Sequence, residues 1–393
     1  MKNKSVLVMW LLFLNLLLFS CQQRDTAEER ARRAEKSTGD IKIAAVGSWS
    51  HEHSESKTFN GIEMAVDEIN KSGGGVRGRK FHLIKIDDKG TIDGSLLAAE
   101  EISKNPDIVA AIGHTFSYTT MPCAESYAAK GLLLVSPVAR NPELLERNNK
   151  LIIDIQVKSD LAAKYLAEYA RDRKYKKVVI CYVNDDYGTR FATEFEKAAA
   201  PYGIKVVDSA PYWLEDVDSF DSLGAKWKNF EFDALLYAGH HQVLGNFISK
   251  MRRDGIQQPI LTDSDFTPAS ITEAGGHLNN VVTTLYFDPE PEGRMSKEFI
   301  RAYQDRYGFP PNHYAANGYE AVKLLADGMK KAGSTAPAKV ATALRDIKDW
   351  PGLSGRYSIG KDGGIVGKPV YLVEFRDGKL IKLDRGKNKA TPN

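Results

Sequence analysis

Short apolar runs alternate along the chain with longer segments whose apolar residues recur every three or four positions. Ile41-Lys42-Ile43-Ala44-Ala45-Val46-Gly47 reads as a strand, and 58–70 follows with Phe59, Ile62, Ala65, Val66 and Ile69 on one side of a helix. A glycine turn (71–78), a strand (81–87), a helix (94–104) and a strand (109–112) continue the pattern. A polar turn, a helix and a strand at 132–135 come next. The alternation restarts after Asp160. Helices at 161–173, 188–202, 219–229 and 244–254 separate strands at 177–183, 205–210, 234–238 and 259–262. A strand at 281–287, helices at 296–307 and 314–332, and a hairpin of 370–375 and 379–383 turning at Asp377-Gly378 close the chain. This order predicts an α/β protein with parallel sheets covered on both faces. Two copies of one plan predict two similar lobes with a cleft between them.

The stretch from Val109 to Leu144 organises the rest. Its first strand hands over to a helix through a turn carrying Gly113, Ser117, Thr119 and Thr120. Helix starts offer unpaired N–H donors and a partial positive charge, and open α/β sheets bind ligands there. The next strand ends in Ser136-Pro137-Val138-Ala139-Arg140, a second polar turn beside the first. Two such turns form an anion-binding mouth. They predict a carboxylate-bearing small molecule that is held and not chemically altered.

The 393 residues suffice for two lobes, and 42% hydrophobic with 27% charged residues is a globular composition. A net charge of +3 does not argue for a nucleic-acid partner. The N-terminus differs: Lys2 and Lys4 precede an apolar run over 6–19, then Ser20-Cys21. Residues 1–20 read as a secretory signal, and Leu18-Phe19-Ser20-Cys21 resembles a lipobox that would lipidate Cys21. Residues 21–40 are charge-dense without an apolar stripe, which predicts a flexible tether to the membrane. Cys123 and Cys181 fall in different predicted lobes, as two buried thiols.

Gly113-His114 with Ser117, then Ser136-Pro137 and Asn141-Pro142-Glu143-Leu144, resembles the branched-chain amino-acid-binding proteins, the type I periplasmic solute receptors of ABC importers. Asp87-Asp88, Asp186-Tyr187-Gly188, Tyr237-Ala238-Gly239 and Ala316-Asn317-Gly318-Tyr319-Glu320-Ala321 extend the resemblance in order to about residue 383. It implies two Rossmann-like lobes joined by three hinge crossovers, a Venus flytrap. Lobe 1 would hold 41–158 with 286–368, and lobe 2 would hold 159–285 with 369–386.

The resemblance places a ligand carboxylate on the Ser117 hydroxyl and the Val138 N–H. The family's second-turn threonine falls on Arg140, which could pair with a carboxylate itself. An aromatic clamp falls on Tyr187 and a second aromatic on His240. The acid for a ligand ammonium falls on Asp263, with Asp265 the alternative, and Tyr314 forms a further wall. Trp49, in a loop where the family usually has a glycine turn, is expected to line the cleft. The partners implied are a small ligand, an ABC permease and, through the lipid, a membrane, all in the periplasm; no cofactor is implied.

Other readings carry less. His51, Glu52, His53, His240 and His241 are possible zinc ligands, but their spacing fits no known pattern. No G-x-S-x-G elbow is present, and the glycines at 73–78 lack the lysine of a phosphate-binding loop. Asp185-Asp186 and Asp263/Asp265 could serve a hydrolase as paired carboxylates, yet helix capping and ammonium binding explain them better. A sensor reporting ligand occupancy to a partner protein is the other alternative. The ligand stays open: a polar, acidic or aromatic amino acid, or another small carboxylate, fits these residues as well as leucine.

Overall fold

The computed structural model describes residues 26–49, 57–71, 74–147, 149–214, 216 and 218–383. The proposed signal segment, Cys21 and the His51-Glu52-His53 loop lie outside them.

The first sheet comes from β1 (Ile41–Gly47), β2 (Phe81–Asp87), β3 (Ile108–Ile112), β4 (Leu133–Ser136) and β5 (Ile152–Asp154), all parallel in the order β2-β1-β3-β4-β5. The two-residue period of a strand sends alternate side chains to opposite faces. Ile43 and Ala45 of β1, with Ala110 and Ile112 of β3, pack on α2 (Thr58–Lys71) and α12 (His313–Ala332). Ala44, Val46 and Ala111 meet α3 (Ile92–Lys104) and α4 (Ser117–Ala129) on the other face. The central strand β3 is therefore apolar throughout, and β1 nearly so.

The second sheet repeats the plan with β6 (Lys177–Val183), β7 (Lys205–Tyr212), β8 (Ala234–Ala238), β9 (Ile260–Thr262) and β10 (Val281–Leu285), parallel in the order β7-β6-β8-β9-β10. The closing hairpin β14 (Tyr371–Arg376) and β15 (Lys379–Lys382) adds antiparallel strands beside β10. Its core gathers α6 (Ser159–Asp172), α7 (Asp186–Ala199), α8 (Ser219–Trp227) and α9 (Leu244–Arg253). The chain thus passes between the two sheets after β5, after β10 and before β14. A small antiparallel sheet of β11 (Trp350–Gly352), β12 (Gly355–Ile359) and β13 (Ile365–Val366), and helix α13 (Pro337–Arg345), were not anticipated from the periodicity.

One expectation is corrected outright. Residues 26–36 are not a flexible tether but a helix, α1, docked on lobe 1. The reason is one side chain. Arg30 is fully buried, and its guanidinium donates to the carbonyls of Ser103 (2.8 Å), Asn105 (3.1 Å), Ile108 (2.8 Å) and Lys130. Those carbonyls gather where α3 and α4 end, at the negative end of each helix dipole, where a cation is stabilised. Ala34 enters the core, Glu35 meets Ser334 and Lys339, and Arg33 pairs with Asp107. Cys123 and Cys181 are free and buried.

Candidate functional site

Between the C-terminal ends of the two sheets lies a cavity of about 390 Å³, within the usual size of a small-ligand site. Its wall is drawn from the loops after β1 to β4 on one side and after β6 to β9 on the other, with Tyr314 at the start of α12.

The first-lobe wall begins at Gly113. A Cβ there would lie 1.9 Å from the Val46 carbonyl oxygen, and its φ is +148°, so only glycine lets β3 turn against β1. Ser117 then opens α4. Its Oγ accepts the N–H groups of Arg140 (3.2 Å) and Asn141 (3.3 Å), fastening the first turn to the second and leaving the hydroxyl hydrogen free to donate. The Val138 N–H has no partner among the described residues. Ser117 and Val138 both line the cavity. Thr119 and Thr120 do not offer donors there, because both hydroxyls return to the Phe116 carbonyl as helix-start caps (3.0 and 2.7 Å).

Below this wall lies a buried pair that the sequence reading did not single out. His114 Nδ1 meets Asp88 Oδ2 at 2.6 Å and Nε2 meets the Tyr127 hydroxyl at 3.0 Å. Burial alone would pull the imidazole down, but the Asp88 carboxylate together with Cys123 outweighs it and raises His114 to about 9. Asp88 Oδ1 also accepts the Gly90 N–H (2.8 Å), so one carboxylate fixes both the Gly90 loop and the Ser117 turn.

The second-lobe wall departs from expectation. Asp263 is fully buried and does not line the cavity. Its Oδ1 accepts from Thr284 and Tyr286, and its Oδ2 binds Arg140 Nη1 at 2.8 Å. Arg140 donates as well to the Asp263 carbonyl (2.6 Å), lies 3.1 Å from His313 Nε2 and covers the Tyr286 ring at 4.6 Å. Arg140 lines the cavity, but its guanidinium is already occupied by a carboxylate of the opposite lobe. The structure thus pairs with each other the two charges assigned from sequence to opposite ends of a ligand. Asp265 takes the cavity position instead. Its Oδ1 meets His313 Nδ1 at 3.0 Å and its Oδ2 stands 3.5 Å from Arg140. Burial opposes its charge, yet His313 and Arg140 hold it below the usual carboxylate range, while burial lowers His313 itself from the ordinary imidazole value.

Tyr187, His240 and Tyr314 all reach the cavity. Tyr187 stacks on Phe191 and on His240 (centroids 5.8 and 5.5 Å apart). His240 Nε2 is held by Asp185 Oδ2 at 2.6 Å, and the same aspartate caps α7 through the N–H groups of Tyr187 and Gly188. From the other lobe Phe116 and Tyr118 meet the His240 ring edge-on, at 5.6 and 6.4 Å. Trp49 is a correction. Its ring folds back over Gly47 and against Phe59 (5.5 Å), its backbone N–H donates to Asp87 Oδ1 (3.0 Å), and Ser48 takes the place on the wall.

Asp185 is committed to a cap and a histidine, and Asp263 to an arginine, so neither carboxylate pair is arranged for hydrolysis. Among the described residues no three His, Cys, Asp or Glu side chains group as metal ligands. No described helix is long and apolar enough to cross a membrane. Sequence reasoning missed His313 and the pairing of Asp88 with His114, and offered His241 only as a possible zinc ligand. His313 adjoins Tyr314 and His241 adjoins His240, so neighbours of assigned positions were the available signal.

Residues 41–379 match the model of a family described as periplasmic binding protein. A leucine-, isoleucine-, valine-, threonine-, and alanine-binding protein of Pseudomonas aeruginosa is 28% identical over 72% of this chain and 76% of its own. A leucine-specific-binding protein of Salmonella typhimurium is 27% identical over 79% and 83%. Among solved structures, an ABC transporter substrate-binding protein from Desulfitobacterium hafniense, in complex with Leu, superposes with a TM-score of 0.76. It is 30% identical over 88% of this chain and all of its own.

Proposed function

We propose that this chain, which belongs to the periplasmic binding protein family, captures an α-amino acid or similar small carboxylate by closing its lobes and delivers it to an ABC importer. One arrangement carries the reading: the Ser117 hydroxyl and Val138 N–H on one wall face Asp265 on the other across a single small cavity. A carboxylate on the first pair and an ammonium on Asp265 fill that span, and Asp265 replaces Asp263 in this role. The bound Leu of the Desulfitobacterium protein and the amino acids named for the Pseudomonas relative support this class of guest.

Closure follows from contacts that exist only when the lobes meet. Asn141 Nδ2 donates to the Asp186 carbonyl (2.9 Å), and Arg190 reaches Glu143 (3.2 Å) and Glu146 (2.9 Å). Arg140 reaches Asp263 in the same way. A guest that touches both walls adds its contacts to the closed state alone and shifts the population toward it. In this reading 41–158 with 286–368 moves against 159–285 with 369–386. Cys21 carries a lipid after removal of residues 1–20. With α1 docked, only a few residues separate that anchor from lobe 1, at about 3.5 Å each when extended.

A thermal-shift screen of the mature chain against amino acids and small organic acids tests this. A true ligand raises the melting temperature with dose. Ser117→Ala and Asp265→Asn each weaken that response. Stabilisation by metal ions alone, or a response unchanged in both variants, removes the proposal.

A further inference from the structure

We infer that the solute is an amino acid whose side chain ends in a cationic nitrogen. This rests on the proposed receptor reading, and three observations support it.

The first is charge. Among the described residues lining the cavity, Arg140 is the one lysine or arginine, and it sits between two carboxylates, Asp263 and Asp265. One negative charge is left over beside the cavity, where both carboxylates are largely out of water and charges act strongly. His241 does not cancel it, because burial lowers this imidazole to about 4 and keeps it neutral. A zwitterion of zero net charge leaves that excess in place, whereas a guest of net charge +1 removes it.

The second is the set of unpaired polar atoms. Gln242 Oε1 and His241 Nε2 are buried without a hydrogen bond among the described residues, and both residues belong to the wall. Asp265 Oδ2 is likewise buried without a hydrogen bond among the described residues, Arg140 standing 3.5 Å away. A carbonyl oxygen and a carboxylate oxygen can only accept. A guest rich in N–H donors satisfies them. An aliphatic side chain leaves them unpaired, and an acidic one adds acceptors and negative charge.

The third is aromatic. Phe116 and Tyr118 lie parallel, 5.2 Å apart, with His240 and Tyr187 opposite. Ring faces attract cations.

Isothermal titration of the mature chain with L-arginine, L-lysine, L-leucine and L-glutamate tests the inference. Arginine or lysine should bind at least about tenfold tighter than leucine, with glutamate weakest. Gln242→Leu should lower the ratio of arginine or lysine affinity to leucine affinity several-fold. Leucine binding as tightly as arginine and lysine, or glutamate binding tightest, overturns the inference and leaves the receptor reading standing. No binding by these four or by any other small carboxylate overturns both.

Discussion

The two walls of the cleft are built differently. Apart from Arg140, the first-lobe wall is neutral where it meets the cavity and is fixed from within its own lobe. Ser117 ties one turn to the next, and the Asp88–His114 pair holds both loops from below. The second-lobe wall is charged and is completed by groups from elsewhere: Arg140 from the opposite lobe on Asp263, and His313 from α12 on Asp265. The first wall therefore exists whether the lobes are open or shut. The second takes its final form only when they meet, so closure and recognition are linked through Arg140.

That contrast can be broken most sharply at Asp263. Asp263→Asn leaves the Arg140 guanidinium buried with its main partner neutralised, a change that costs about 3–5 kcal/mol in comparable buried pairs. Urea unfolding should register it as a large fall in midpoint. A fall below about 1 kcal/mol would mean the pair is not part of the closed protein in solution. At Asp265 the balance reverses. Asp265→Asn should weaken ligand binding by about tenfold or more while lowering stability less than Asp263→Asn, because charged hydrogen bonds to a guest are worth about 1.5–3 kcal/mol. Ser117→Ala, on the neutral wall, should cost about three- to tenfold in affinity by the same calorimetry.

The walls also differ in how they titrate. His114 is raised from an ordinary 6.5 to about 9, so the folded protein holds its proton more tightly. Its contribution to stability is complete below about 6.5 and is lost as pH rises toward 9. His241 is lowered from 6.5 to about 4, so the unfolded chain takes up the proton first, and this contribution is lost as pH falls from 6.5 toward 4. Chemical denaturation across pH 4 to 9 should therefore flatten on the alkaline side in His114→Gln and on the acid side in His241→Gln. The smallest effect belongs to Arg190→Ala. Its ion pairs with Glu143 and Glu146 are partly exposed, so closure should weaken by less than about 1 kcal/mol, read as a slightly larger radius of gyration at subsaturating ligand.

The alternation of strands and helices was legible because each lobe buries strands on both faces and helices on one. The place of Ser117 and Val138 on the cavity wall was legible because a turn between strand and helix has few other uses for an exposed donor. The choice between Asp263 and Asp265 was not. Both lie on one side of an extended segment with alternate positions in common, and burial by Thr284 and Tyr286, some twenty residues on, decides between them. Arg140 reads as a ligand-binding charge until its partner 123 residues away is known. Arg30 made the docking of α1 invisible for the same reason: its partners are main-chain carbonyls, which no pattern of side chains records. Trp49 was assigned by its place in a loop, while its ring packs backward on Gly47 and Phe59.

A crystal structure of the mature chain with its bound amino acid tests the central claim most directly. The carboxylate should lie within hydrogen-bonding distance of the Ser117 hydroxyl and the Val138 N–H, with the ammonium on Asp265 and the Arg140–Asp263 pair intact beside it. An ammonium seated on Asp263 with Arg140 displaced, or a guest bound outside this cleft, would contradict it.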